Sequence, residues 1–373
     1  MTEKVIVLGT SHYNTVGMVQ SLGSEGLYVI VVTIGKAGLV KRSKFVQEVY
    51  EVDDYNLAFD LIIGQIIDEK PIVIIPCGDE PALMLEKNSF RLKNNFLYQH
   101  TTASHTIVQA MNKNYQVQVA KASGLNVPLS FEVDNIDSLP QNMIYPCIIK
   151  PLLSCEGDKR NISIARNATE MHEQVKEILI DTPRVIVQQF IENIDKELNI
   201  LGCAYSNGNY EIPLSIEKVR TYPRGRGSVS VGKVVPFDSK MLSITEKIKK
   251  MLGAIGYVGL FSVELMVDSV TNNIFFIEMN LRNDALNPFI VKAGINLPYL
   301  HYQDLTKQQL KEYHPICKTR KMICEPIHIS SLYNRDISPI VWIKDIFTSS
   351  SFILYNKKDK KLFWHQFIDR LHR

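Results

Sequence analysis

Three oxygen-bearing side chains stand in two apolar segments in the second half of the chain: Glu264, Glu278 and Asn280. Side chains alternate between the two faces of a β-strand, so Glu278 and Asn280 should point to the same face. The turn-prone pair Asn272-Asn273 predicts a hairpin that brings Glu264 close to Glu278. Two carboxylates in an apolar setting need a cation between them, and carboxylate and amide oxygens suit Mg²⁺. The pattern therefore predicts a magnesium site.

A positive charge follows in the same segment, because Arg282 lies two residues beyond Asn280. Strand alternation would place its guanidinium beside the predicted metal site. The alternative is an exposed hairpin whose glutamate and arginine side chains pair in solvent. That alternative would suffice for one isolated glutamate. Glu-x-Asn-x-Arg in an apolar strand, opposite an earlier glutamate, favours the metal site.

Two lysines are candidates for binding phosphate. Lys150 ends the apolar strand predicted over residues 145–150 and is followed directly by a loop. An ammonium group at that position, together with the N–H groups of the loop, can hold phosphate oxygens. Lys113 would join Lys150 only through tertiary folding. For either lysine alone, a solvated side chain is the commoner case.

The apolar strand that ends in Gln188 and Gln189 is a candidate for reading an adenine ring through its backbone N–H and C=O groups. Glu197 follows a few residues later and could accept hydrogen bonds from ribose hydroxyls. Each of these features alone is more often structural than functional.

An Arg- and Gly-rich stretch between Glu217 and Lys233 is a candidate for binding anionic groups. Guanidinium groups bind carboxylates and phosphates through two parallel hydrogen bonds. Arg220 lies closest to the preceding strand, so it is the best candidate for clamping a substrate carboxylate. A flexible basic surface loop that includes Arg224 and Arg226 is an equally good interpretation.

The overall composition is that of a globular protein. The chain has 373 residues with 42 Lys+Arg against 39 Asp+Glu, so its bulk charge gives no basis for binding nucleic acid or a membrane. The six cysteines form no metal-binding pattern and are expected to be reduced thiols. No apolar run reaches the roughly 20 residues that a membrane helix needs. The N-terminus shows no signal peptide, so the cytoplasm is the expected location.

The elements around these residues predict two architectures in succession. In residues 1–102, short apolar strands alternate with amphipathic helices, which predicts a parallel α/β sheet. Beyond that point the pattern becomes α+β with antiparallel strands. We predict an α/β domain over 1–102, a small lobe over 103–183, a large lobe with the metal site over 184–310, and a helical C-terminal extension over 311–373.

The order of these segments resembles the ATP-grasp superfamily over about residues 103–305. The matching segments are 112–113, 145–150, 187–192, 261–264 and 276–282. The resemblance implies a two-lobed ATP-grasp fold, preceded by the small α/β domain that usually accompanies it. Within the superfamily, the chain looks most like the D-aspartate ligase-like and carbamoyl-phosphate-synthase-like carboxylate–amine ligases.

The resemblance implies contacts with the phosphates or the adenine ring of a nucleotide for five residues. Lys113 and Lys150 are similar to the two lysines that contact ATP phosphates. Gln188 falls where the family most often has a glutamate facing the adenine amino group, and its amide oxygen can still accept that hydrogen bond. The backbone at Gln189 and Ile191 would contact the adenine ring.

The resemblance also assigns the metal and ribose ligands. Glu197 resembles the ribose ligand, and Glu264, Glu278 and Asn280 resemble the magnesium ligands. Arg282 resembles the residue that faces the transferred phosphate and the acyl intermediate. One departure concerns the loop that covers the phosphates, because only one glycine, Gly157, stands between Lys150 and Asn161.

The implied reaction is formation of an acyl phosphate from a carboxylate and ATP, followed by attack of an amine. The expected cofactors are ATP and Mg²⁺, with Mn²⁺ as a substitute, and the expected substrates are a small carboxylate and an amine, one of them an amino acid. A homodimer is compatible with the resemblance. The alternatives are a carbamoyl-phosphate-synthase-like or carboxylase-type enzyme, and an ATP-binding protein without turnover. A dinucleotide enzyme is disfavoured because Gly9-x-Ser11 lacks the G-x-G-x-x-G pattern.

Overall fold

A computed structural model describes residues 3–102, 107–152, 162–225, 227–315 and 318–371. Gly157 and Arg226, two residues singled out in the sequence, lie outside these ranges. None of the helices in the described ranges combines the length and apolarity that crossing a membrane requires.

The first part of the chain is a parallel α/β sheet. Its five strands lie in the order β3-β2-β1-β4-β5, and every neighbouring pair is parallel. The elements are β1 Lys4–Gly9, α1 Tyr13–Gly23, β2 Tyr28–Ile34, β3 Val46–Val52, α2 Tyr55–Gln65, β4 Ile72–Pro76, α3 Asp79–Lys87, α4 Ser89–Leu92 and β5 Phe96–Leu97. The predicted N-terminal sheet is confirmed. Strands β1, β2 and β4 are apolar and buried because helices cover both faces, whereas the edge strand β3 is only partly buried.

A second, four-stranded antiparallel sheet follows, in the order β7-β10-β8-β9. The elements of this region are β6 His100–Thr101, α5 Ile107–Ala110, α6 Lys113–Ala122, β7 Ser130–Val133, β8 Cys147–Pro151, β9 Ser163–Ala165, α7 Ala168–Asp181 and β10 Val185–Gln189. Because β10 pairs with both β7 and β8, we propose that the boundary between the lobes lies after Gln189 rather than at residue 183.

The third sheet has nine strands, seven of them in the order β16-β15-β11-β13-β14-β17-β18, while β12 pairs with β11 and β6 with β15. Its further elements are β11 Ile194–Ala204, β12 Tyr210–Glu211, β13 Ser215–Tyr222, β14 Ser228–Val235, α8 Ser239–Ile255, β15 Tyr257–Asp268, β16 Ile274–Asn280, α9 Asn287–Lys292, α10 Leu297–Leu305, β17 Arg320–Ile323, α11 Glu325–Tyr333, α12 Pro339–Thr348, β18 Ser351–Phe352 and α13 Lys360–Leu371. The C-terminal extension is thus helical as predicted, but the two short strands β17 and β18 were not predicted.

The two faces of the large sheet bury different partners. On β11, Leu198 and Ile200 pack with helices α6 and α8, while Leu201 and Cys203 face the opposite side, with α1, α9 and α10. Strand alternation places Glu197 and Asn199 on the same side as Leu201. The N-terminal domain therefore covers one end of the face that carries Leu201 and Cys203, and polar side chains such as Glu197 and Asn199 occupy the other end.

Helix α1 packs closely on α9, and this contact gives a matched pair of stability predictions. A Cβ added at Gly17 would overlap Cγ of Pro288, whereas no atom lies within 4 Å of a Cβ added at Gly64 in α2. We expect Gly17→Ala to lower the unfolding free energy by about 1–3 kcal/mol, because of overpacking. Gly64→Ala should raise it by about 0.5 kcal/mol, since alanine favours the helix. Urea denaturation of both variants checks this, and equal effects would contradict the packing argument.

The C-terminal extension is anchored by buried carboxylates. Asp359 accepts hydrogen bonds from the Ser43 hydroxyl and, at 3.2 Å, from the N–H of Lys44 in the N-terminal domain. Glu325, the first residue of α11, accepts the N–H groups of Ile353 at 2.8 Å and Tyr355 at 3.1 Å. Through Asp359, the C-terminal extension is thereby held against the N-terminal domain.

Glu325 predicts a pH dependence of stability. Burial raises the pKa of its carboxyl from 4.5 to about 7, against the lowering effect of the backbone N–H groups. Between these two pH values the folded protein keeps a proton that the unfolded chain loses. The stabilising contribution of Glu325 is therefore complete below pH 4.5 and is lost as pH rises towards 7. We expect the unfolding free energy to fall by up to about 3 kcal/mol across this window.

The Glu325→Gln variant has no carboxyl group to titrate and is the control for this prediction. Denaturation at pH 5 and pH 8 should show a smaller difference for the variant than for the unchanged protein. The same difference in both proteins would assign the pH dependence to other groups.

Candidate active site

Strands β15 and β16 form the predicted hairpin and place Glu264 directly opposite Glu278. Asn280 lies opposite Ser262, and its amide nitrogen donates to the Ser262 hydroxyl at 3.4 Å. A β-bulge at Ile277 lets Phe276 face the apolar side while Glu278 and Asn280 face the polar side. The prediction that the hairpin joins these side chains on one face is confirmed.

Lys218 reaches these side chains from β13; it belongs to the basic stretch identified in the sequence, but its contact with this site was not predicted. Its ammonium Nζ lies 2.8 Å from Oε2 of Glu264 and 3.4 Å from Oε2 of Glu197. Burial would lower the pKa of Lys218, but the attraction of these carboxylates outweighs it and raises the pKa, so the side chain is charged. The sequence offered no signal for this contact, because it depends on the order β13-β11-β15 in the sheet.

The two predicted phosphate lysines lie near the same carboxylate. Lys113 is the first residue of α6 and donates its backbone N–H to the carbonyl of Leu152, just beyond β8 and Lys150, at 3.2 Å. Both lysine side chains are only 7% exposed. Burial lowers the pKa of Lys150 and nearby Lys113 lowers it further, while Glu278 opposes the shift.

Glu278 is the electrostatic centre of the group. Burial would raise the pKa of its carboxyl, but four cations together lower it. These cations are Lys113, Lys150, Arg282 and Lys218. The carboxylate is therefore ionised at neutral pH and lies in a field of positive charge suited to phosphate oxygens.

Arg282 connects this group to the N-terminal domain. Its Nε and Nη2 bind the two carboxylate oxygens of Asp79 at 3.0 and 3.3 Å, and its Nη1 lies 3.3 Å from Oδ2 of Asp284. Burial alone would lower the pKa of Arg282, but the two carboxylates raise it. Asp79 was not predicted as a site residue, although it follows β4 at the carboxyl edge of a parallel sheet, where ligand sites commonly lie.

The backbone near the end of β10 has only some of its groups free to contact a ligand. The N–H of Gln189 donates to the carbonyl of Leu129 at 2.8 Å, so it is not available for a ligand. No hydrogen bond within the described part of the chain uses the N–H of Ile191. The amide nitrogen of Gln188 donates to the Ser130 hydroxyl at 2.9 Å, which leaves its oxygen as an acceptor.

Arg220 lies apart from Glu264 and Glu278, in the wall of a neighbouring cavity. Its Nη1 binds Oδ2 of Asp345, whose other oxygen accepts from Lys321 at 2.7 Å. Burial would raise the pKa of Asp345, but hydrogen bonds from Lys321, Arg220 and His328 lower it to about 2. The guanidinium predicted to clamp a substrate is therefore held by the C-terminal extension.

The cavity has a volume of about 670 Å³ and lies between the β13–β14 hairpin and the C-terminal extension. Its charged lining residues are Glu197, Lys218, Arg220, Arg224 and Asp336. Glu197 and Lys218 therefore belong both to the wall of this cavity and to the cluster of charged side chains around Glu264 and Glu278.

The donor set fits Mg²⁺. Among the described residues, no cluster of three or more His, Cys, Asp or Glu side chains could hold a metal. The candidate metal ligands are instead the carboxylates of Glu264 and Glu278 and the side-chain amide of Asn280. Asn199 lies opposite Glu264 on β11, is 2% exposed, and its oxygen Oδ1 has no hydrogen-bond partner among the described residues. An unpaired buried oxygen beside a carboxylate suits a hydrated cation, because Mg²⁺ keeps several waters that donate hydrogen bonds.

Comparison with known proteins identifies the domain that carries most of these residues. A family model for the ATP-grasp domain matches residues 110–285. A formate-dependent phosphoribosylglycinamide formyltransferase from Nitratiruptor sp. is 26% identical over 59% of this chain and 56% of its own length. A D-alanine–D-alanine ligase from Aquifex aeolicus is 25% identical over 48% of this chain and 62% of its own. The chain thus spans less than two thirds of either relative.

A solved structure shows the same fold over nearly the whole chain. The N5-carboxyaminoimidazole synthetase from Staphylococcus aureus, in complex with ADP, has a TM-score of 0.68 and 19% identity, covering 90% of this chain and 86% of its own. Residues 110–285 therefore match the ATP-grasp domain, and the resemblance to the ATP-grasp superfamily is confirmed over that part of the chain.

Proposed function

We propose that this chain is a ligase that uses ATP and Mg²⁺ to activate a carboxylate as an acyl phosphate and joins it to an amine. The observation that carries the proposal is Glu278, a partly buried carboxylate opposite Glu264 with four cations around it. A protein that only binds a neutral ligand does not need so many opposite charges at one site. Phosphoryl transfer depends on such charges.

The nucleotide would lie between the two lobes. Lys113 and Lys150 would hold phosphate oxygens, and Glu197 would accept from the ribose hydroxyls. The amide oxygen of Gln188 and the N–H of Ile191 would contact adenine, together with the carbonyl rather than the N–H of Gln189. This assignment uses only backbone groups that the sheet leaves available.

Glu264, Glu278 and Asn280 would hold Mg²⁺, which neutralises charge on the phosphates when bound. A substrate carboxylate oxygen then attacks the γ-phosphorus, the bond to the bridging oxygen breaks, and ADP leaves. The amine attacks the acyl carbon, loses a proton, and inorganic phosphate leaves. Arg282 would face the transferred phosphoryl group and the oxyanion, because its guanidinium lies close enough to Glu278 to lower the pKa of that carboxyl.

We propose an amino acid as one substrate, on the basis of the D-alanine–D-alanine ligase relative and a structural match to an L-amino acid ligase from Bacillus licheniformis. Arg220, fixed by Asp345, would bind its carboxylate. The carboxylase-type alternative draws on the N5-carboxyaminoimidazole synthetase match and would make bicarbonate the activated acid. The predicted cytoplasmic location and homodimer stay predictions.

An ADP-release screen with paired acids and amines tests the function. We expect ADP formation only when a carboxylate, an amine and Mg²⁺–ATP are all present, and ¹⁸O from the labelled carboxylate should appear in phosphate. Release that needs bicarbonate instead would favour the carboxylase-type reaction. If calorimetry shows that Mg²⁺–ATP does not bind, the proposal is wrong.

A further inference from the structure

Lys218 contacts two carboxylates that have different roles in the proposed function. Its ammonium lies 2.8 Å from Glu264, the proposed metal ligand, and 3.4 Å from Glu197, the proposed ribose ligand. The Lys218 side chain is only 12% exposed, so these contacts are poorly screened by solvent. One buried cation therefore balances both carboxylates.

Binding of Mg²⁺ and a nucleotide would change the partners of Lys218. Glu264 would then coordinate a divalent cation, and Glu197 would accept from ribose hydroxyls. The ammonium would lose its nearest partner and be repelled by the metal charge only a few ångströms away. A buried ammonium without a partner is costly, so it has to find another anion.

The 670 Å³ cavity is where that anion can be supplied, because Lys218 is part of its wall. Two other cations in the wall keep their own partners throughout. Arg220 is bound by Asp345, and Arg224 by Asp336. Neither aspartate belongs to the proposed metal or nucleotide site. Among the described residues of this wall, Lys218 is thus the cation whose charge becomes available when the nucleotide site fills.

We propose that Lys218 exchanges partners: it competes with free metal for Glu264, and after Mg²⁺–nucleotide binding it holds a carboxylate-bearing substrate in this cavity. The exchange rests on the proposed function, since it assumes that Glu264 is a metal ligand. It makes substrate binding follow nucleotide binding, because the ammonium is otherwise engaged. Lys218 then supplies the released positive charge, and Arg220, still paired with Asp345, offers its remaining N–H donors to the same anion.

The first test measures metal binding without nucleotide. Mn²⁺ titrations followed by electron paramagnetic resonance should show Lys218→Met binding Mn²⁺ at least about tenfold more tightly than the unchanged protein, because a competing charge is gone. Lys218→Arg should stay near the unchanged value. Lys233→Met is the matched control, since Lys233 pairs with Glu217 at 3.2 Å on the same hairpin. Equal or weaker Mn²⁺ binding by a folded Lys218→Met would overturn the proposal.

The second test measures anion binding, with succinate as the probe. Calorimetry should show succinate binding at least about fivefold more tightly when Mg²⁺–AMP-PNP is present, because an ammonium has been released. Lys218→Met should lose this enhancement, while Lys233→Met should keep it. If Mg²⁺–AMP-PNP binds the unchanged protein but succinate affinity does not respond, the partner exchange is wrong and the nucleotide site stands. If Mg²⁺–AMP-PNP does not bind at all, the proposed function itself fails.

Discussion

Replacing Glu278 with glutamine is expected to lower ATP-dependent ADP release by a factor of at least about 10³, the scale at which loss of a metal ligand or a charge-stabilising group acts. The glutamine keeps the size of the side chain but removes the charge that balances Lys113, Lys150, Lys218 and Arg282. Mg²⁺ would lose its proposed central ligand, so the phosphates would be held by lysines alone. Steady-state ADP release and Mg²⁺–ATP calorimetry measure the two effects separately.

Glu217→Gln is the matched control for this prediction. Glu217 lies on β13 of the same sheet and pairs with Lys233, so it has the same chemistry outside the proposed site. Its replacement should change turnover by less than about threefold, in keeping with the small worth of an exposed ion pair. Undiminished turnover in folded Glu278→Gln would remove the basis of the ligase proposal.

The second large effect concerns stability: Asp79→Ala is expected to lower the unfolding free energy by about 2–4 kcal/mol, the range for breaking a largely buried ion pair. Asp79 binds both Nε and Nη2 of Arg282, whose side chain is only 15% exposed. Without Asp79, the ion pair that remains for the guanidinium among the described residues is the one with Asp284. The contact between the N-terminal domain and the large lobe should weaken accordingly.

Glu80→Ala provides the control, because Glu80 is the other acidic residue in the first turn of α3 and is exposed. Both variants lose the same favourable interaction with the helix dipole, so their difference isolates the contact with Arg282. A double-mutant cycle with Arg282→Met measures the coupling directly. Equal destabilisation by the two alanine variants would show that Asp79 acts only through its own helix.

The parts of the site that could be predicted from sequence depend on short-range rules. Glu264 and Glu278 are joined by a hairpin, and strand alternation with a turn at Asn272 fixes their relation. Asn272 has a φ of 57°, a conformation that asparagine tolerates better than most residues. The convergence of Lys113 and Lys150 on Glu278 followed only from the family resemblance.

The missed residues depend on long-range order. Lys218 reaches Glu264 because β11 inserts between β13 and β15, a strand order that no local pattern reveals. Asp79 reaches Arg282 across 203 positions of the chain. Arg220 was identified by its type and spacing, but its partner Asp345 lies in an extension that the sequence described only by its apolar residues. In each of these three cases, a contact between residues far apart in the sequence determines what the side chain binds.

The anchoring of Asp359 on Ser43 has a consequence for the order in which the protein is synthesised. The two residues are 316 positions apart, so the ribosome must release most of the chain before this contact can form. During translation the N-terminal sheet exists for a long interval without its last buried carboxylate partner, and nascent Ser43 and Lys44 have to remain accessible. The contacts of Ser43 and Lys44 are therefore among the last to be completed, even though these residues are made long before Asp359.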